Sequence, residues 1–77
     1  MSINLVFLMK DVGVVPFPIQ TSTDLTYKVL MEESNEGRLR IINEELKRWG
    51  WDKKERAETL NKIETLMDNP NLTLDMW

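Results

Sequence analysis

From Ile3 to Met9 the apolar side chains obey a period of two, with Ile3, Leu5, Phe7 and Met9 on one face of an extended strand and Asn4, Val6, Leu8 and Lys10 on the other. Both faces are partly apolar. The pattern therefore predicts a strand covered on one side by helices and on the other by a neighbouring element or another chain. Asp11 and Gly13 mark a turn. Pro16 and Pro18 then hold Val14 to Ile19 extended, because each proline fixes its own φ and biases the preceding residue away from helix. A stretch so rich in proline is excluded from the centre of a sheet.

Residues 24–32 carry two conflicting signals. Leu25, Tyr27, Val29 and Met31 alternate with Asp24, Thr26 and Lys28, as in a half-buried strand, with Leu30 the apolar exception. Thr21 followed by Asp24 resembles a helix start, and Leu30-Met31-Glu32-Glu33 favours helix. On a helical wheel the apolar residues point in every direction, and this tips the reading toward strand.

Residues 36–68 have the period of helices. Asn35 is the expected N-cap of a helix reaching Trp49, in which Leu39, Ile42, Leu46 and Trp49 form one narrow stripe. On its exposed side Glu44 and Arg48 are spaced to pair. Gly50 stands where a left-handed residue ends a helix, and Trp51 is placed to fold back on Leu46 in a Schellman motif. Asp52, with Glu55 three residues on, is a variant of the capping box and opens a second helix. This helix carries Ala57, Leu60, Ile63 and Met67 on one stripe and stops at Asp68-Asn69-Pro70. So short a connection forces the two helices into an antiparallel hairpin. The tail, with Leu72, Leu74 and Met76 on one side, has the pattern of an edge strand.

The fold expected is a single small α+β domain spanning residues 1–77: one or two N-terminal strands packed on a C-terminal antiparallel helical hairpin. The alternative is an all-α fold with an additional helix over 22–34 and an extended N-terminal arm.

Composition narrows the chemistry. A chain of 77 residues with 42% apolar and 30% charged side chains has ordinary globular composition but can build only a thin core. Without cysteine or histidine it lacks disulfides, thiolate nucleophiles, the common zinc ligands and the usual general base. The hydroxyls of Thr21, Ser22, Thr23 and Ser34 have no histidine to activate them. The carboxylates are scattered, and no P-loop or dinucleotide-binding glycine pattern is present. No catalytic, cofactor-binding or metal-binding residue is expected. The run Ile3–Met9 lacks the basic flank and cleavage site of a signal peptide and is too short to span a bilayer, so no membrane association is expected. A small cysteine-free chain fits the cytoplasm, of a cell or of a host.

Two features point to binding. In Lys47-Arg48-Trp49-Gly50-Trp51-Asp52-Lys53-Lys54-Glu55-Arg56 two tryptophans are interleaved with five of the ten basic residues, inside a chain of net charge −3. Such a mixture can close a hairpin by packing, or it can grip a partner. Arg56, and to a lesser degree Lys53, fall toward the apolar side of the second helix, where they either snorkel or meet an acidic partner. The second feature is the apolar ends, Ile3–Met9 and Leu72–Trp77, which either recruit partners or pair with each other or with residues 24–32. The expectation is a non-enzymatic protein-binding module, an adaptor, inhibitor or assembly factor of viral or bacterial kind. It would act as a homo-oligomer or with another protein through Trp49, Trp51, Lys53, Lys54, Arg56, Phe7 and Trp77. The alternative is nucleic-acid binding through the basic elbow at residues 47–56.

Overall fold

A computed structural model describes residues 3–77. Its elements run β1 (Leu5–Met9), β2 (Gly13–Pro16), α1 (Thr23–Met31), α2 (Asn35–Arg48), α3 (Lys53–Met67) and β3 (Leu72–Met76). The three strands make one antiparallel sheet in the order β2-β1-β3. The fold is thus mixed α+β, with two N-terminal strands as expected and a third contributed by the C-terminus.

β1 and β2 form a hairpin in which Gly13, at φ 105°, takes the left-handed conformation where the turn enters β2. β1 occupies the centre because its two edges are claimed from opposite ends of the chain, with Phe7 beside Val15 on one side and Leu74 on the other. The apolar ends therefore pair with each other. Leu5 and Phe7 point into a core completed by Phe17, Ile19, Leu25, Val29, Ile42, Leu46 and Ile63. Phe7 is 1% exposed and stacks on Phe17 at 5.4 Å. The expectation that Phe7 contacts a partner is corrected: the strand turns that ring inward, under the helices.

Both sheet edges are poor templates for a further strand. Asn4 and Trp77 exchange both backbone hydrogen bonds, at 2.7 and 2.8 Å. By the alternation of an antiparallel ladder, the amides of Leu72, Leu74 and Met76 then face away from β1. The Leu72 N–H donates to the Asn69 carbonyl at 3.1 Å, and the Met76 N–H donates to Asp75 Oδ1 at 2.8 Å. Only Leu74 keeps an outward donor. On β2 the outward residues are Val14 and Pro16, and proline has no N–H to offer.

Residues 24–31 are helical, with Glu32 as the extended C-cap, which corrects the strand reading of 24–32. The helix starts at Ser22 rather than Thr21: the Ser22 Oγ accepts from the Leu25 N–H at 3.2 Å. Leu25 and Val29, one turn apart, are buried, while Tyr27 and Met31 lie on the solvent side at 42% and 81% exposure. Thr21 is used elsewhere. Its hydroxyl accepts from the Leu5 N–H at 3.0 Å and lies 2.7 Å from the hydroxyl of Thr26, which donates to the Ser22 carbonyl at 2.9 Å. Thr26 Oγ1 also lies 3.3 Å from the Ile3 carbonyl, and either hydroxyl of the Thr21–Thr26 pair can be the donor. The relay joins β1 to the first turn of α1 through two buried hydroxyls. Thr26→Val, nearly isosteric, leaves the buried Thr21 hydroxyl without its Thr26 partner and should lower the unfolding free energy by about 1–3 kcal/mol. A urea denaturation midpoint that falls with unchanged slope is the expected reading.

The hairpin of α2 and α3 forms as its sequence predicts, with one shift at its start. Ser34, not Asn35, caps α2, its Oγ accepting from the Gly37 N–H at 3.0 Å. Ile42 and Leu46 from α2 and Ile63 from α3 are fully buried. The ends of the two stripes are not: Trp49 is 40% exposed, and Ala57 is also exposed, because both sit at the elbow.

Candidate partner-binding site

The elbow is built by backbone geometry. Gly50 has φ 87°, the Gly50 N–H donates to the Lys47 carbonyl at 3.0 Å, and the Trp51 N–H donates to the Leu46 carbonyl at 3.1 Å, which is the complete Schellman pair. Asp52 follows as N-cap of α3, its Oδ1 accepting from the Glu55 N–H at 2.8 Å. A glycine cap and an aspartate cap in succession leave Trp49 and Trp51 on either side of one left-handed residue. Their rings meet edge to face, with centroids 6.3 Å apart and planes at 62°.

The two rings do different things. Trp51 packs on the core that holds Leu46, so it fastens the elbow. Trp49, further out, forms with Trp51 one wall of an open groove of about 680 Å³, whose other wall comes from Asn4 and the segment Pro18–Ser22. Trp77, which pairs with Asn4 at the end of the β1–β3 ladder, is 67% exposed and is not part of the groove lining. The groove lining carries no charge. Asn4 Oδ1 is buried there without a hydrogen-bond partner among the described residues.

The basic residues of the elbow divide. Arg56 donates from Nη1 to the Trp51 carbonyl at 2.6 Å and from Nε to Asn43 Oδ1 at 3.1 Å. Its position toward the apolar side of α3 is thereby explained: the guanidinium braces α3 to α2 while the side chain stays partly exposed. Lys47 and Arg48 lie 3.5 Å from Glu44 and Glu45, so the pairing runs i to i+3 instead of Glu44 to Arg48. The first pair is exposed and the second has an exposed arginine on a partly buried Glu45, and both are of small energetic weight. Lys53 and Lys54 are exposed, and neither takes part in an ion pair among the described residues. They sit in the first turn of α3, where the helix dipole disfavours positive charge.

Of the residues named from sequence, the fold brings Trp49 and Trp51 together at the elbow, with Lys53 and Lys54 following it; Trp77 lies exposed beyond β3, Phe7 is in the core and Arg56 bonds to the elbow and to α2. Sequence reasoning missed Asn4 and the Pro18–Ser22 wall. The two prolines signalled an extended segment, but its packing beside the elbow depends on the sheet. The groove offers apolar and aromatic surface, and its lining carries the hydroxyls of Thr21 and Ser22 but no charged side chain. Among the described residues no group of acidic side chains is placed to hold a metal ion, and no helix is long and apolar enough to cross a membrane. Comparison of the chain with family models, with curated proteins and with solved structures returns no match.

Proposed function

We propose that this protein is a small non-enzymatic binding module that holds another protein through the tryptophan-walled groove at the α2–α3 elbow. The observation that carries the reading is the Trp49–Trp51 pair, of which one ring is fixed by the core and the other stands open beside an uncharged groove. Tryptophan in such a setting supplies large apolar area at low side-chain entropy cost, and it dominates the energetics of many interfaces. The uncharged lining and the unpaired Lys53 and Lys54 nearby favour a partner segment with an apolar or aromatic anchor flanked by acidic residues. An adaptor, inhibitor or assembly factor fits this description.

The test is affinity capture from the source cell, identification of the partner by mass spectrometry, and measurement of Kd for the purified pair. Trp49→Ala should weaken binding by at least about 2 kcal/mol, or roughly thirtyfold in Kd, while shifting the unfolding free energy far less. A partner bound equally well by Trp49→Ala would remove the groove from the reading. Contact with phosphates through Lys53 and Lys54 is the second reading, supported by their lack of ion-pair partners. It requires binding to weaken steeply with salt and to fall when both lysines are replaced.

A further inference from the structure

The helices cover one face of the sheet. Leu5 and Phe7 of β1, Val15 of β2 and Leu74 of β3 pack with Ile42, Leu46 and Ile63. The alternate residues make the other face, where the register sets Val6 between Pro16 and Asp75, and Leu8 between Val14 and Thr73. None of these six joins the core cluster around Phe7. Val6 is 8% exposed, so the open part of this face lies at Leu8, Val14 and the two ends. Val14 is 39% exposed, and an open depression of about 600 Å³ beside Leu8 has Lys10, Gly13 and Thr73 in its lining. A central strand that is apolar on both sides but covered on one fits a sheet completed by another chain. Neither sheet edge offers a row of free donors, so a chain that docks here docks on the face.

The two ends of the face are complementary to each other. Lys10 and Val12, both exposed, stand at the β1–β2 turn. Asp75 and, two residues on, the exposed Trp77 stand at the opposite end, where Trp77 continues the ladder by pairing with Asn4. Neither Lys10 nor Asp75 takes part in an ion pair among the described residues. Asp75 Oδ1 accepts from the Met76 N–H, and the second carboxylate oxygen makes no hydrogen bond among these residues. A two-fold axis that lies between two such faces and runs across the strands stacks β1 antiparallel on β1 of a second copy. Each turn end then meets the other copy's opposite end, Lys10 over Asp75 and Val12 over Trp77, with Leu8 and Val14 near the middle. Stacked sheets lie about 10 Å apart, a gap that a lysine and an aspartate side chain span together.

We propose that the protein forms a symmetric dimer through this sheet face, with Leu8, Val14 and Trp77 in contact and two Lys10–Asp75 pairs setting the register. Strand spacing and rise give the face roughly 300 Å² per copy, below the ~800 Å² per partner of a stable complex, so the dimer is reversible and concentration-dependent. The face shares no residue with the lining of the tryptophan groove, and the dimer needs no occupant there.

Sedimentation velocity on the full chain between about 10 µM and about 1 mM reads the state of association. The sedimentation coefficient should rise with concentration, and dilution should move the amide shifts of Val6, Leu8, Val14 and Thr73 but not those of Trp49 and Trp51. Lys10→Glu alone and Asp75→Lys alone each set like charges against one another at both pairs, and each should raise the dimer Kd by about tenfold or more. Mixed in equal amounts, the two variants restore both pairs, so the mixture should dimerise at concentrations where each alone is a monomer. Circular dichroism checks that both fold, and the dilution shifts of the unaltered protein decide the matter if either does not. A monomer at every concentration, dilution shifts centred on the elbow or the helices, or a mixture no more associated than its components would each overturn the proposal.

Discussion

Phe7→Ala should lower the unfolding free energy by about 3–5 kcal/mol, the cost of deleting a buried aromatic ring and leaving a cavity. Native domains carry roughly 0.05–0.15 kcal/mol per residue, so a 77-residue chain has on the order of 4–12 kcal/mol in all, and this one change would bring it close to unfolding. The reason is position. Phe7 lies at the middle of the central strand, between Val15 and Leu74, and stacks on Phe17 from the proline-rich segment. Its loss therefore weakens the contact of β1 with both ends of the chain at once. Denaturation in urea, read by far-UV circular dichroism, gives the value. Trp77→Ala is the comparison: an exposed side chain at the end of the same ladder should change stability by no more than about 0.5 kcal/mol. Equal, small effects at the two positions would mean that Phe7 is not core.

The contrast between these residues shows what local sequence can and cannot reveal. Both lie in apolar, alternating ends, and both have the look of contact residues. Which is buried depends on β1 being claimed from both sides, a pairing across about seventy positions that no local period encodes. The elbow is the opposite case. A left-handed residue after a helix requires glycine, and a helix start rewards aspartate, so Gly50 and Asp52 announce the turn through backbone chemistry that acts within a few residues.

Residues 24–32 were ambiguous for a different reason. Tyr27 and Met31 supplied the apolar alternation of a strand, yet both are solvent-side residues of α1, and exposed apolar side chains are common on folded surfaces. The deciding interactions were the Ser22 cap and the Thr21–Thr26 relay, of which the second exists only once β1 is in place. In the candidate site the tryptophans and lysines were legible as types in a cluster. Arg56 was visible as a charge on an apolar side, but its acceptors, the Trp51 carbonyl and Asn43, come from the turn and the facing helix.

Ile63→Ala should cost about 2–5 kcal/mol, and the form of the loss is as informative as its size. Of the fifteen residues of α3, Ile63 alone is fully buried, with Leu60, Leu66 and Met67 only partly so. A helix held by one side chain would ordinarily open by itself, at a free energy below that of global unfolding. α3 is tied at both ends, however. At its start the Asp52 cap and the Arg56 brace join it to α2, and just beyond its end the chain enters β3, which pairs along the whole of β1. Lifting α3 from the core therefore strains the ladder that holds the central strand. The expected outcome is a single cooperative transition, with tryptophan fluorescence at the elbow and circular dichroism losing signal at the same urea concentration. Hydrogen exchange should accelerate together in α3, β1 and β3. If the amides of Lys53–Met67 exchanged faster while those of β1 kept their protection, α3 would be an independently opening unit, and the elbow groove would have to be regarded as one that moves.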